Sequence, residues 1–225
     1  MNEWIEPVLL IAFVAVCLWS FHELAEDFDT SVAVARFDEV ADDWIDGWQR
    51  PWLTLVMKGF TYTGGIFGVS ILTIVLVVTL IALGRGPEAW FSALLVIVGT
   101  VLANAIKPFM KRVRPPAEEQ LITQPKSASF PSGHSMGSMC LGLATIEAIL
   151  AAPILSPAIK ASVVLACIVY VVLVGISRVY LGAHWPSDVL AAWLLGAAWI
   201  AGATGLKILI LQGAETVGPM IEEMH

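Results

Sequence analysis

The chain has 225 residues, of which 58% are hydrophobic and 14% are charged, and its formal net charge is −7. Such an apolar composition excludes an ordinary soluble domain. We expect no nucleic-acid partner. A hydrocarbon layer about 30 Å thick requires roughly 20 mostly apolar residues for each helical crossing. The sequence therefore predicts a membrane protein with several helical spans.

Six long runs contain almost no Asp, Glu, Lys or Arg and are rich in Leu, Val, Ile and Ala. They are residues 7–21, 64–83, 89–106, 136–152, 161–177 and 189–206. These runs predict an all-α fold, a six-transmembrane-helix bundle in which residues 1–225 form a single membrane-integral domain. The residues before the first run include Glu3 and Glu6 but no Lys or Arg, the opposite of a signal peptide, so we expect the first helix to be retained.

The segment between the first and second spans is strongly acidic. Residues 22–50 hold nine carboxylates against only Arg36 and Arg50. Apolar side chains recur through it at helical spacing: Phe37, Val40, Trp44 and Trp48. This pattern predicts an amphipathic helix at the membrane interface with its carboxylates in water. The run DEVADDWIDG lacks the alternating ligands of a calcium loop, so we expect no calcium site there.

Six spans joined by short turns fix which polar segments share a membrane face. The acidic segment, residues 107–131 and residues 177–188 all fall on one side, opposite the chain's N-terminus. These segments carry two histidines, serines, an aspartate and several cations. The sequence therefore predicts a shared polar pocket on that face.

Two helix starts on this face carry candidate chemistry. In PSGH, Pro131 and Ser132 are suited to a helix N-terminus, where free backbone N–H groups favour an anion. In AHWPSD, His184 precedes the last span and Asp188 falls in its first turn, so the two side chains can meet. A carboxylate on one imidazole nitrogen fixes the tautomer and leaves the other nitrogen free to attack an electrophile. Taken alone, PSGH could be just a helix cap, and for the pair of His184 and Asp188 a histidine at a helix cap is the favoured explanation.

Three cations strengthen the chemical interpretation. Lys107, Arg114 and Arg178 offer donors suited to phosphoryl oxygens. With His134 and His184 nearby and no metal motif such as H-E-x-x-H, they predict phosphoryl transfer through a histidine, without a metal or other cofactor.

The motifs also match a known family. In chain order they are Lys107-x6-Arg114-Pro115, Pro131-Ser132-Gly133-His134 and Ser177-Arg178-x5-His184-x3-Asp188, within residues 107–188. In these motifs the chain resembles the type 2 phosphatidic acid phosphatase superfamily. The resemblance implies a membrane-integral lipid phosphatase. Its substrate would be a phosphomonoester or diphosphate of a phospholipid or polyprenyl lipid, such as phosphatidic acid, phosphatidylglycerol phosphate or undecaprenyl diphosphate.

The resemblance further implies a role for each motif residue. His184 would attack phosphorus and form a phosphohistidine, Asp188 would orient it, and His134 would protonate the leaving oxygen and then activate water. The phosphate would be bound by Lys107, Arg114, Ser132, Gly133 and Arg178. In a bacterial cytoplasmic membrane, the site would face the periplasm or cell exterior. We adopt that orientation although the positive-inside rule, counted on Lys and Arg alone, favours the opposite one.

Two alternative functions stay open at this point. The same covalent intermediate would serve a lipid phosphotransferase, and a basic pocket alone would serve a non-catalytic lipid-binding or transport protein. The motifs select neither a particular lipid nor an oligomeric state.

Several other polar residues carry weaker predictions. Lys111 and Arg112 lie in the spacer of the first motif, where we expect them to be solvated at the interface. His22 and Lys58 are placed near the substrate entrance by location alone. Glu147 lies within the fourth span and receives no role.

Overall fold

The computed structural model describes residues 5–28, 30–123 and 125–222, with side chains described from residue 7 to residue 212 within these ranges. The described residues form eight α-helices, one short 3₁₀ turn and no β-strand. The helices are α1 (Ile5–Asp27), α2 (Val32–Asp46), α3 (Pro51–Gly64), α4 (Ile66–Ala82), α5 (Gly86–Met110), α6 (Gly133–Leu150), α7 (Pro157–Tyr180) and α8 (Pro186–Glu222). This confirms the all-α prediction. The acidic residues that argued against a signal peptide lie outside the described side chains.

Among the described helices, α1, α5, α7 and α8 are each long and apolar enough to cross a membrane. Helices α3 and α4 reach that standard only as a pair, bent by 63° at a break between them. The described residues thus contain four or five candidate spans, fewer than the six predicted. Helix α6 is not among them because glycine, serine and histidine occupy much of its first half.

Helix α6 lies at the centre of the bundle, packed against α5, α7 and α8. Its side chains Met136, Cys140 and Ala144 are fully buried. Small residues allow the neighbours to approach, since a Cβ on Gly99 of α5 would lie 2.4 Å from the sulfur of Cys140. This central packing fixes the position of the N-terminus of α6, which carries the second motif.

Helix α2 occupies the acidic segment and begins after Ser31, whose hydroxyl accepts from the Val34 amide at 3.5 Å. Trp44 on this helix and Trp48 just beyond it are exposed. Asp38, in contrast, is only 3% exposed. The prediction that the carboxylates of this segment lie in water is therefore wrong for Asp38, whose burial is explained by its partners in the site.

Glu147 lies at the end of the bundle opposite the motifs. Its carboxylate accepts from Lys207 at 2.8 Å, and the Lys207 ammonium lies 4.4 Å from the ring centroid of Phe91. Fourteen residues separate Glu147 from Gly133, which at about 1.5 Å per residue is roughly 20 Å along α6. An ion pair between α6 and α8 therefore accounts for this charge within the bundle.

Candidate active site

Four helix ends meet at one end of the bundle and carry the motif residues. Lys107 is in the last turn of α5, His134 in the first turn of α6, Arg178 in the last turn of α7 and Asp188 in the first turn of α8. The polar residues therefore share one face, as the alternation of spans predicts.

A glycine turn places the candidate nucleophile. After α7 ends, Gly182 adopts a φ of 61°, and a Cβ at this position would lie 2.5 Å from the carbonyl oxygen of Glu119. Only glycine satisfies both the left-handed backbone and the close approach. The turn lets the amide of His184 donate to the carbonyl of Arg178 at 3.2 Å.

His184 and Asp188 form a buried pair, 2% and 0% exposed. The Nδ1 atom of His184 lies 3.2 Å from Oδ2 of Asp188. The same oxygen accepts from the Ser129 hydroxyl at 2.5 Å and from the Trp185 amide at 3.0 Å. The carboxylate is thus held by several donors in addition to the histidine.

The other imidazole nitrogen faces a cation. Nη1 of Arg114 lies 3.3 Å from Nε2 of His184 and also donates to the carbonyl of Ala183 at 2.7 Å. Because a guanidinium has only donors, Nε2 must present its lone pair, and the proton is assigned to Nδ1, toward Asp188. Burial lowers the pKa of His184 to about 3, although Asp188 opposes this shift. The imidazole is therefore neutral near pH 7, with its lone pair directed toward Arg114.

The other predicted phosphate-binding residues surround this pair. Lys107 donates to the carbonyls of Ala128 and Ser129 at 3.1 and 3.3 Å. A Cβ on Gly133 would lie 3.8 Å from Cε of Lys107, so the glycine backbone adjoins this cation. Arg178 donates to the hydroxyl of Thr61 on α3. Together with Arg114 in the loop after α5, these two cations at helix ends are suited to binding an anionic group.

Ser132 is fully buried and caps α6. Its hydroxyl oxygen accepts from the amide and the hydroxyl of Ser135 at 3.4 and 2.9 Å. In this arrangement the hydroxyl is used within the protein, and its predicted contact with phosphate stays a prediction.

A groove of about 1060 Å³ leads to the site between α3, α4 and the loop that follows the 3₁₀ turn (Ala117–Glu119). His134 and Arg178 line its polar part, and Nε2 of His134 would lie 3.3 Å from a Cβ on Gly65 at the helix break. The apolar wall includes Tyr62, Ile66, Phe67, Ile71, Leu72, Leu121 and Ile122. Lys58 lines the groove as expected, whereas His22 is not among the described lining residues and instead lies 3.4 Å from Glu26.

The position of Arg112 contradicts the prediction that this residue is solvated at the membrane interface. It is 6% exposed, and its two Nη atoms donate to Asp188 and Asp38, each at 2.6 Å. The expectation that it would be solvated is wrong because two buried carboxylates compensate its charge. Lys111, in contrast, is exposed; its φ of 53° ends α5 and turns the chain toward the site. Three site residues were missed because none of them is a motif position: Arg112 lies in the variable spacer of the first motif, Ser129 precedes the second motif by two residues, and Asp38 is far from all three motifs in the sequence.

No group of three or more His, Cys, Asp or Glu side chains within the described residues could hold a metal ion. The prediction of phosphoryl transfer without a metal depends on the chemistry of the site and stays a prediction.

Comparison with known proteins identifies the family. The sequence profile of the PAP2 superfamily matches residues 88–207, more than half of the chain. The chain belongs to the PAP2 superfamily. This confirms the resemblance found in the motifs, and the protein is an integral membrane phosphatase of that superfamily.

Two curated relatives are similar to this PAP2 protein. Phosphatidylglycerophosphatase B of Bacillus subtilis is 32% identical over 199 residues, covering 85% of this chain and 89% of the relative. An undecaprenyl-diphosphatase of Sulfolobus acidocaldarius is 34% identical over 134 residues, covering 57% of this chain and 56% of the relative.

Two solved structures share the fold. The transmembrane PAP2 type phosphatidylglycerolphosphate phosphatase from Bacillus subtilis superimposes with a TM-score of 0.77 at 29% identity, covering 91% of this chain and 96% of that one. LpxE of Aquifex aeolicus gives a TM-score of 0.57 at 26% identity, covering 74% of this chain and 93% of that one.

Proposed function

We propose that this PAP2 protein hydrolyses the terminal phosphate of a membrane lipid through a phosphohistidine on His184. Phosphatidylglycerol phosphate is the first candidate substrate, since a relative named for that activity matches over 85% of the chain. Undecaprenyl diphosphate is the second, because the relative named for that activity shares 34% identity over a shorter region.

One observation carries the mechanism: Nε2 of His184 lies 3.3 Å from Arg114 while Asp188 holds Nδ1. A phosphoryl group bound by the Arg114 guanidinium would lie against the nitrogen that has the free lone pair. Desolvation of the imidazole and a fixed tautomer both favour attack by this nitrogen.

The first chemical step forms the Nε2–P bond of His184 and breaks the bond between phosphorus and the lipid oxygen. His134, which lines the groove, would be protonated beside the negatively charged bound phosphate and would donate that proton to the lipid oxygen. In the second step the same residue would take a proton from water as water attacks phosphorus. The N–P bond then breaks, releasing inorganic phosphate and restoring the neutral imidazole.

The predicted anion-binding set would stabilise the charge on the phosphoryl oxygens during both steps. It comprises Lys107, Arg114, Ser132, Gly133 and Arg178. The Ser132 hydroxyl oxygen accepts from Ser135 in the cap, so a contact with phosphate would use the proton of that hydroxyl.

The groove explains how a lipid would reach these residues. Its apolar wall on α4 would receive the lipid tail, while the phosphate reaches His134 and Arg178.

Two isoleucines on α4 allow a matched test of this path. Ile71 and Ile74 are both 61% exposed, but of the two only Ile71 lines the groove. We expect Ile71→Ser to lower kcat/KM for a long-chain lipid roughly tenfold, with Ile74→Ser as the matched control. Equal effects of the two substitutions would contradict this path.

We further propose that α6 completes a set of six spans, that α2 lies at the membrane interface, and that the site faces the periplasm or cell exterior. Exposed Trp44, Trp48 and Trp52 near the site end support an interfacial position, since tryptophan is enriched at membrane interfaces.

The orientation of the site can be tested by replacing exposed Asp43 with cysteine and labelling it in intact cells with a membrane-impermeant reagent. Labelling only after lysis would contradict it.

Phosphate release from purified protein tests the function. The assay offers phosphatidic acid, phosphatidylglycerol phosphate and undecaprenyl diphosphate in detergent, with His184→Ala as the inactive variant and His22→Ala as the control. We expect phosphatidylglycerol phosphate to give the highest kcat/KM. A phosphorylated acceptor in place of free phosphate would instead indicate a phosphotransferase. Binding without turnover of any of these lipids would indicate a non-catalytic lipid-binding protein.

A further inference from the structure

A buried carboxylate outside the three motifs contacts the site. Asp38 belongs to α2, in the acidic segment, yet it is only 3% exposed. Its Oδ1 accepts from the Ser187 amide at 2.8 Å, and its Oδ2 accepts from the Ser187 hydroxyl at 2.7 Å. Asp38 is thereby joined to the first turn of α8, one residue before Asp188.

Arg112 connects this carboxylate to the candidate catalytic pair. Its Nη2 donates to Asp38 and its Nη1 donates to Oδ1 of Asp188, both at 2.6 Å. The guanidinium also lies 5.1 Å from the ring centroid of Phe28 and 6.0 Å from that of Trp185. Two carboxylates and two aromatic rings therefore restrict its position.

The two oxygens of Asp188 have different partners. Oδ1 accepts from Arg112, whereas Oδ2 accepts from Ser129 and the Trp185 amide and contacts Nδ1 of His184. A carboxylate is planar, so fixing Oδ1 also fixes the direction of Oδ2. Arg112 thus acts together with Ser129 and the Trp185 amide in orienting the carboxylate that contacts His184.

Stability alone is a poor explanation of this arrangement. Taking three charged groups out of water is costly, and a well-packed apolar replacement of a buried ion pair is often neutral or stabilising. At metal sites, loss of the outer partners that orient a ligating histidine typically costs about 10- to 100-fold in activity. Asp38 and Arg112 stand in a comparable relation to His184 through Asp188, so we expect a loss of the same order.

We propose that Asp38 and Arg112 are positioning residues that act through Asp188 to hold His184 in its Nδ1–H tautomer, aimed at the phosphoryl group. This inference rests on the proposed role of His184. It makes α2 a functional part of the enzyme, since this helix supplies Asp38. This residue begins the hydrogen-bonded series Asp38–Arg112–Asp188–His184, called the relay below, which ends at the nucleophile.

The test begins with Asp38→Asn, which is nearly isosteric. Whichever way the amide turns, its NH₂ group replaces one acceptor and faces a donor, either Nη2 of Arg112 or the backbone amide of Ser187. We expect kcat to fall by about 10- to 100-fold while KM changes less than about twofold. Asp43→Asn is the matched control, because it removes the same charge from an exposed position on the same helix.

A second variant tests the inference independently in case Asp38→Asn does not fold. Arg112→Lys keeps the positive charge but lacks the fork that reaches both carboxylates. We expect it to lower kcat at least as much as Asp38→Asn, with unchanged elution in size-exclusion chromatography. Because both variants act on one relay, their combination should cost less than the product of the two separate losses.

NMR of the imidazole nitrogens distinguishes a role in orienting His184 from a purely structural role of Asp38 and Arg112. In the wild type we expect a single Nδ1–H tautomer of His184, and in folded Asp38→Asn and Arg112→Lys a mixture of tautomers. An unchanged tautomer, or a kcat for Asp38→Asn equal to that of Asp43→Asn, would overturn the inference. Full activity of His184→Ala would instead overturn the proposed function, so the two failures are distinguishable.

Discussion

Replacing Asp188 by Asn tests directly whether the Asp188 carboxylate controls the proposed nucleophile, His184. The two carboxylate oxygens accept from donors on both sides, Arg112 on one and the Trp185 amide, Ser129 and His184 on the other. The amide that replaces them has a single acceptor. Whichever way it turns, one side must place a donor against a donor.

Each orientation of the amide has a definite cost. If NH₂ replaces Oδ2, Nδ1 of His184 must accept and Nε2 carries the proton, which removes the nucleophilic lone pair and places N–H against Arg114. If NH₂ replaces Oδ1, it meets the Nη1 donor of Arg112 at the former 2.6 Å contact, and a buried unsatisfied donor costs about 1–3 kcal/mol. Loss of the carboxylate that orients a catalytic histidine costs up to about 10⁴-fold in other hydrolases. We therefore expect kcat to fall by roughly 10³- to 10⁴-fold, or about 4 to 5.5 kcal/mol.

Single-turnover consumption of the lipid substrate in detergent measures this loss without interference from product release. Asp43→Asn serves as the control for charge removal, and thermal unfolding establishes that Asp188→Asn remains folded at the assay temperature. A folded Asp188→Asn protein with a rate within about threefold of the wild type would refute the reasoning.

Three further predictions concern titration and stability. Because burial lowers the pKa of His184 to about 3, its imidazole nitrogen shifts should stay constant from about pH 5 to about pH 8, and a midpoint near the ordinary value of about 6.5 would contradict this. Burial, followed by repulsion from Asp46, raises the pKa of Asp42 to about 7. The folded state therefore binds this proton more tightly than the unfolded state, and stability is lost as pH rises from about 4 through about 7. Asp42→Asn should raise Tm by roughly 2–4 °C at about pH 8, after discounting for partial exposure, and change it little at about pH 4; an equal change at both would contradict the assignment. Glu147→Gln should cost about 1 kcal/mol of stability by breaking the pair with Lys207 and leave kcat unchanged, whereas a large loss of kcat would show that this distant pair serves the site.

The motif residues were predictable because fixed spacing and the alternation of spans place them at the same helix ends. The pairing of His184 with Asp188 follows directly from their separation across the start of α8. Lys107, Arg114 and Arg178 lie near His184 as their motifs indicate, and their binding of phosphate stays a prediction.

The relay through Asp38 and Arg112 was not predictable from local pattern. Asp38 is one of nine carboxylates in its segment, and only the packing of α2 against α8 distinguishes it. Apolar content also failed to show that residues before 64 form the separate helix α3, because the break depends on the bend at Gly65. In α6 the residues that lower hydropathy are those packed in the centre of the bundle, so composition alone understates how deeply the helix is buried.

Rapid quenching of the enzyme during turnover of phosphatidylglycerol phosphate labelled in its terminal phosphate tests the central claim most directly. We predict protein-bound phosphate that is stable to alkali, lost in acid and assigned by mass spectrometry to His184, and absent from His184→Ala. In His134→Ala the bound phosphate should persist longer, because activation of water is impaired. Steady turnover with no bound phosphate, or phosphate on a different residue, would contradict the account.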